Sequence, residues 1–229
     1  MIITIDGPAG SGKSTVARKL AARLSIPYLD TGAMYRVVTL AALTERVDLN
    51  DESALAALAA RDDYDLNLGP THIRVTWRGR DVTEELRTMR INDNTRYIAA
   101  SPAVRVELVR RQREFGKRFG ALVTEGRDQG SVAFPDADMK FFLHADIRQR
   151  AARRYHELVA DGEEVDEAAV LRNLEQRDQT DSERAVAPLR KPEDAIEIDT
   201  SAISVNEVIA QMLDHLRKKG LIDANTQMT

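Results

Sequence analysis

The sequence predicts an α/β fold, with a parallel sheet covered by helices on both faces. Three observations carry that prediction. Five short apolar runs of strand type recur along the chain. Helical stretches separate most of them. The first run leads through a glycine-rich turn directly into a helix, the opening of a phosphate-binding α/β unit.

The chain begins with Met1-Ile2-Ile3-Thr4-Ile5-Asp6, a β-branched run whose strand is Ile2–Ile5. Gly7-Pro8-Ala9-Gly10-Ser11-Gly12-Lys13-Ser14 follows and fits the pattern G-x-x-x-x-G-K-[ST] at every fixed position. Ser14 to Leu24 then places Val16, Ala17, Leu20, Ala21 and Leu24 at helical spacing. A chance lysine after a glycine-rich turn would not match both flanks as well. The glycines let backbone N–H groups converge on phosphate oxygens, and the helix start adds the positive end of a dipole. Lys13 supplies a cation to the outer phosphates, and the Ser14 hydroxyl suits Mg²⁺. Gly7 through Thr15 is the predicted nucleoside triphosphate site. A guanine-reading switch would also need an Asn-Lys-x-Asp motif, which the chain lacks.

Further strands are expected at Tyr28–Leu29, Ala121–Thr124, Lys140–Leu143 and Ile196–Ile198, giving a five-stranded parallel sheet in a three-layer α/β/α arrangement. Helices are expected at Gly32–Thr44, Ser53–Ala60, Pro102–Lys117 and Ser204–Leu216, the third capped by Ser101 with Pro102 in its first turn. Two segments break this rhythm. From about Arg61 to Tyr97, Ile73, Val75 and Trp77 alternate to one face before Arg78-Gly79, the pattern of a small antiparallel hairpin. From about Arg148 to Ala187 the chain is densely charged and mostly helical, with Asp161-Gly162 as a break and Pro188 as an end. Such a stretch reads as a flap, or as a solvated surface pair. The tail from Asp223 to Thr229 is polar and expected to fray.

A chain of 229 residues, 43% hydrophobic and 31% charged, builds one globular core. A net charge of −4 gives no reason to expect a nucleic acid or a membrane as partner. Without cysteine there is no disulfide and no thiolate metal site. Asp6 interrupts the only N-terminal apolar run, and no stretch reaches the length of a membrane span, so a cytoplasmic location is expected. The 26 arginines outnumber 7 lysines. That bias suits bidentate contacts to phosphate, although a GC-rich genome produces it too.

The arginines and carboxylates fall at telling places. Asp30-Thr31-Gly32-Ala33-Met34-Tyr35-Arg36 follows the second strand, and Glu125-Gly126-Arg127-Asp128 follows the third. Both belong on the same rim as the phosphate loop. In the charged flap, Arg177, Asp181 and Arg184 are spaced by four and three, which puts them on one face of a helix.

Together with Val132-Ala133-Phe134-Pro135-Asp136-Ala137 and Arg184-Ala185-Val186-Ala187-Pro188-Leu189, these motifs resemble those of the bacterial cytidylate kinases, within the nucleoside monophosphate kinases. The resemblance covers nearly the whole chain. Adenylate kinases share the loop and a similar second motif but lack the Arg127-Asp128 pair and the hairpin. The resemblance implies γ-phosphoryl transfer from ATP, with Mg²⁺, to CMP or dCMP, by a monomer. It implies one kinase domain in three parts: a core at about 1–61, 98–147 and 185–229, a monophosphate-binding insert at about 62–97, and a helical lid at about 148–184. It places Arg36, Arg127 and Arg184 on the acceptor phosphate. Arg105 and Asp128 face the cytosine with Thr31 nearby, while Arg177 and Asp181 reach the sugar hydroxyls. Lys13, Arg127, Arg177 and Arg184 become the catalytic cations. One position departs from the pattern: where many relatives carry a base-contacting serine, this chain has Arg96, beside Thr95. A phosphate nucleophile is already ionised and needs no general base, so His72 and His144 are expected to be surface or packing residues.

Overall fold

The computed structural model describes residues 1–160, 162–184 and 186–223. Its centre is a sheet of five parallel strands: β1 (Ile2–Asp6), β2 (Tyr28–Asp30), β6 (Leu122–Gly126), β7 (Met139–His144) and β8 (Ile196–Asp199). Their order is β2-β6-β1-β7-β8, with every neighbouring pair parallel. Each expected strand is present. β6 runs two residues further than its apolar run, because pairing of Ile5 with Glu125 and Asp6 with Gly126 carries the ladder past the polar side chain.

The alternation within β1 sorts the two faces of the sheet. Ile3 and Ile5 pack with Val16, Ala17 and Leu20 of α1 (Lys13–Leu24) and with Met212 and Leu213 of α8 (Val205–Lys218). Against the other face lie α2 (Thr31–Glu45) and α5 (Pro102–Phe119), joined to a larger apolar cluster that includes Leu29, Leu122, Val104 and Leu108. Each fully buried Ile, Val, Leu or Met among these stabilises the fold by about 1.5–3 kcal/mol. Ser101 caps α5 through the Val104 N–H at 3.4 Å with Pro102 in the first turn, as expected. Ser204 and Glu207 cap α8 reciprocally.

Between α2 and α5 the chain makes α3 (Glu52–Ala59), then an antiparallel three-stranded sheet: β3 (Tyr64–Leu68), β4 (Ile73–Trp77) and β5 (Arg80–Asp81). The hairpin expected around Arg78-Gly79 is its β4–β5 half. The strand β3 was not anticipated, because Asp65 and Asn67 disguise it. Its buried members Tyr64, Leu66 and Leu68 nonetheless alternate with period two. Nor was α4 (Met89–Ala100), whose central Asn92-Asp93-Asn94-Thr95 run favours a helix weakly and which buries only Ile91 and Ile98, seven residues apart. Tertiary packing beside α2 and α5 supplies what local propensity does not.

The charged segment forms α6 (Ile147–Ala160) and α7 (Glu167–Glu183). These share a small cluster of their own, in which Ala151, Val170 and Leu174 pack against Ala9 of the phosphate loop. Gly162, at φ 85°, turns the chain between them, while Asp161 lies outside the described residues. Ala185 and the tail 224–229, where fraying was expected, are likewise outside them. Among the described residues no helix is long and apolar enough to cross a membrane.

Candidate active site

β1 is flanked by β6 and β7, so the chain reverses its winding there and opens a crevice at the strand ends. Gly7 to Ser14 line it between β1 and α1, with Thr15 in the first turn of α1. A side chain at Gly7 would run into the Leu143 carbonyl, so only glycine allows this approach to β7. Gly10 takes φ 74° and lies against the Arg150 backbone. Lys13 is buried and donates to the Pro8 carbonyl at 2.6 Å. Burial, then the nearby Arg127 guanidinium, pushes its ammonium pKa well below the ordinary lysine range. The Ser14 hydroxyl donates to Glu125 at 2.7 Å. Burial, then Asp30, raises the Glu125 carboxyl. Ser11 Oγ is buried without a hydrogen-bond partner among the described residues.

The arginines gather opposite. Asp30 caps α2 through the Ala33 N–H at 3.1 Å and pairs with Arg36 at 2.7 Å, one turn on. Thr31 Oγ1 donates to the Glu125 carbonyl at 2.8 Å, which ties α2 to the end of β6. Arg105 comes from α5, is 4% exposed, and pairs with Asp128. It also donates to the Ala99 carbonyl at 3.2 Å and stands 5.7 Å from the Tyr35 ring centre. Arg127 donates to Asp181 at 2.8 Å. Arg184, at the end of α7, pairs with the same carboxylate. One aspartate of α7 thus holds Arg127, just past β6, and Arg184, at the end of α7, together. Burial, then Arg105 and Arg127, lowers the Arg184 pKa to about 10. Arg177 stands near Arg127, Arg36 and Arg154, and burial followed by this crowd of like charge brings it to about 10 as well.

Three residues of this region were given no role in the site beforehand. Glu125 touches Ser14 and, at 3.4 Å, the Tyr28 hydroxyl. Its position at a strand end directly before Gly126-Arg127 was the available signal. Arg150 donates to the Ala9 carbonyl at 3.0 Å and pairs with Asp178 at 2.6 Å, so it fastens both α6 and α7 to the loop. Asp6 is buried under the turn that follows Asp128. Arg96, by contrast, is exposed on α4 and lies over the Tyr97 ring at 4.9 Å. Its neighbour Thr95 turns inward and accepts from Thr39 at 3.2 Å.

Among the described residues no group of three or more His, Cys, Asp or Glu could enclose a metal. The Ser14 hydroxyl beside the Glu125 carboxylate is instead an all-oxygen pair. That suits a hard divalent cation held chiefly by phosphates and water.

A glycine cradle at the switch point stands beside a crowd of guanidiniums. Fold and site define a P-loop phosphotransferase. An uncharacterized protein from Eubacterium ventriosum shares the fold, with a TM-score of 0.55 at 14% identity over 95% of this chain and 98% of that one. Residues 3–218 match the family model for cytidylate kinase. The cytidylate kinase of Bacillus pumilus is 48% identical, spanning 93% of this chain and 94% of that one. That of Bacillus subtilis is 46% identical, spanning 95% and 96%. The chain belongs to the cytidylate kinase family.

Proposed function

We propose that this chain transfers the γ-phosphoryl group of ATP to CMP or dCMP, releasing ADP and CDP or dCDP. The observation that carries this reading is the junction of Lys13 in the glycine cradle with the Arg127–Asp181–Arg184 cluster in one crevice. The obstacle to the reaction is charge, since two polyanions must meet in line. Catalysis of this kind is mostly positioning and electrostatic stabilisation.

The backbone of Gly7 to Gly12 and the Lys13 ammonium hold the β- and γ-phosphates. Ser14 and Glu125 would hold Mg²⁺, which would supply positive charge to offset that of the phosphates. The like charges that depress Lys13 are compensated once the triphosphate arrives. On the acceptor side, Arg36, Arg127 and Arg184 take the monophosphate. Asp181 then exchanges its guanidinium partners for the sugar hydroxyls, with Arg177 beside it. Asp128, oriented by Arg105, accepts from the exocyclic amino group of cytosine. Uracil offers a carbonyl there, and two acceptors face each other.

The functional parts are the core, the insert at about 62–97 and the lid at about 148–184. A lid held by a small apolar cluster and by ion pairs can open for exchange. Its closure excludes water from the phosphoryl group. The enzyme acts as a monomer in the cytoplasm.

An assay of ATP against CMP, dCMP, UMP, AMP and GMP tests the reading. ADP should form quickly only with CMP or dCMP. Release of ADP without any acceptor would point to a switch, and equal rates with UMP or AMP to a different kinase.

A further inference from the structure

On the face of β1 opposite α1, the two positions after Ile2 are polar, and the mechanism above leaves them unused. Thr4 and Asp6 point there and are 0% and 1% exposed. Among the described residues Asp6 has no cation in hydrogen-bond reach. Its two carboxylate oxygens accept instead from the backbone N–H groups of Gln129 at 2.8 Å and Gly130 at 2.7 Å. Those residues open the π-helical turn Gln129–Ala133, which starts immediately after Asp128. The Gln129 side chain continues the layer. It accepts from Thr124 of β6 at 3.0 Å and donates to Gln112 of α5 at 3.2 Å. Gln112 lies two turns along the same face of α5 as Arg105, the partner of Asp128.

A buried carboxylate is retained only where its hydrogen bonds repay desolvation or where it fixes something. Here it fixes backbone. Two charge-assisted bonds to consecutive N–H groups set the direction in which the chain leaves β6, and so the direction of the Asp128 carboxylate. Gly130 shows how tight the seat is. A Cβ there would meet Thr4 Oγ1 at 2.9 Å, Lys140 Cδ at 3.2 Å and Asp6 Oδ2 at 3.3 Å.

We propose that Asp6 is a positioning residue for recognition of the acceptor base, holding the turn that aims Asp128 and thereby its Arg105 partner. It acts from beneath, through the backbone of Gln129 and Gly130, and touches no substrate. It also directly precedes Gly7, so the strand end that launches the phosphate loop braces the base-reading turn. The inference rests on the reading of Asp128 as the cytosine contact.

The test is steady-state kinetics of the full chain with Asp6→Asn, Gly130→Ala and Asp128→Asn, each against CMP, UMP and ATP. Asparagine at position 6 replaces one acceptor by a donor facing an N–H. Alanine at 130 pushes the same contact apart from the other side. Both should raise the KM for CMP about tenfold and narrow the CMP-to-UMP ratio of kcat/KM, while the KM for ATP moves less than about threefold. Should Asp6→Asn fail to fold, Gly130→Ala decides. If Asp128→Asn narrows the ratio but the other variants leave it unchanged, or weaken ATP as much as CMP, the positioning role is overturned and the Asp128 reading stands. If Asp128→Asn leaves the ratio unchanged, both fall.

Discussion

The phosphate loop and the arginine cleft lie beside each other but are built on opposite plans. The loop uses contiguous backbone, from Gly7 to Ser14, held by steric necessity at Gly7 and by the Arg150 bond to the Ala9 carbonyl. The cleft uses side chains from distant segments: Arg36 on α2, Arg105 on α5, Arg127 beyond β6, Arg177 on α7 and Arg184 at its end. Backbone dipoles carry only partial charge and need no counter-ion. Whole guanidiniums crowded together do, and carboxylates attend most of them. Asp30 pairs with Arg36, Asp128 with Arg105, and Asp181 with both Arg127 and Arg184. The lesson is that a cleft built from full charges must carry its own counter-charges.

Removing the one full charge on the loop side should have the largest effect. Lys13→Ala should lower kcat by about 10³-fold. The melting temperature should hold or rise, because the variant removes a buried ammonium that stands near Arg127 and Arg177. A fall below tenfold would show that the cleft suffices without the loop's cation.

On the cleft side, Arg184→Ala should cut kcat by about 10²-fold while the KM for ATP changes little, since the charge it meets develops during transfer. Equal losses in both would make the cleft a ground-state binding surface, like the loop. Smaller still is the expected effect of Asp128→Asn on selectivity. Mismatching one buried polar pair is worth about 1–3 kcal/mol, read as a narrowed CMP-to-UMP ratio of kcat/KM.

The mildest prediction concerns the residue between the two halves. Burial, opposed by the Gly130 and Gln129 N–H groups, raises the Asp6 carboxyl from 3.8 to about 7. The folded chain therefore binds this proton more tightly than the unfolded chain. Stability should fall as pH rises from about 4 to about 7 and level off above. Urea unfolding of Asp6→Asn across that range should show a shallower slope. An identical slope would mean that Asp6 titrates normally.

The loop was fully legible because its chemistry lies in consecutive residues. A strand, glycines at fixed spacing and a helix N-terminus form a local unit, and Lys13 and Ser14 follow from it. The five strands and their alternation with helices were legible for the same reason. The strand β3 and the helix α4 were not, because Asp65, Asn67 and the Asn- and Arg-rich run after Met89 carry weak local signals that packing overrides.

In the cleft, the arginines could be named from strand-end positions and from family resemblance, but their partners could not. That Asp181 joins Arg127 to Arg184, that Glu125 meets Ser14, and that Asp6 braces the turn after Asp128 span 54, 111 and 123 residues of chain for their key bonds. What the sequence determined by itself was the set of local units and the charges they carry. What only the tertiary structure decided was which opposite charges meet. Pairing depends on where the sheet order brings strand ends together, and periodicity along a chain holds no record of that distance.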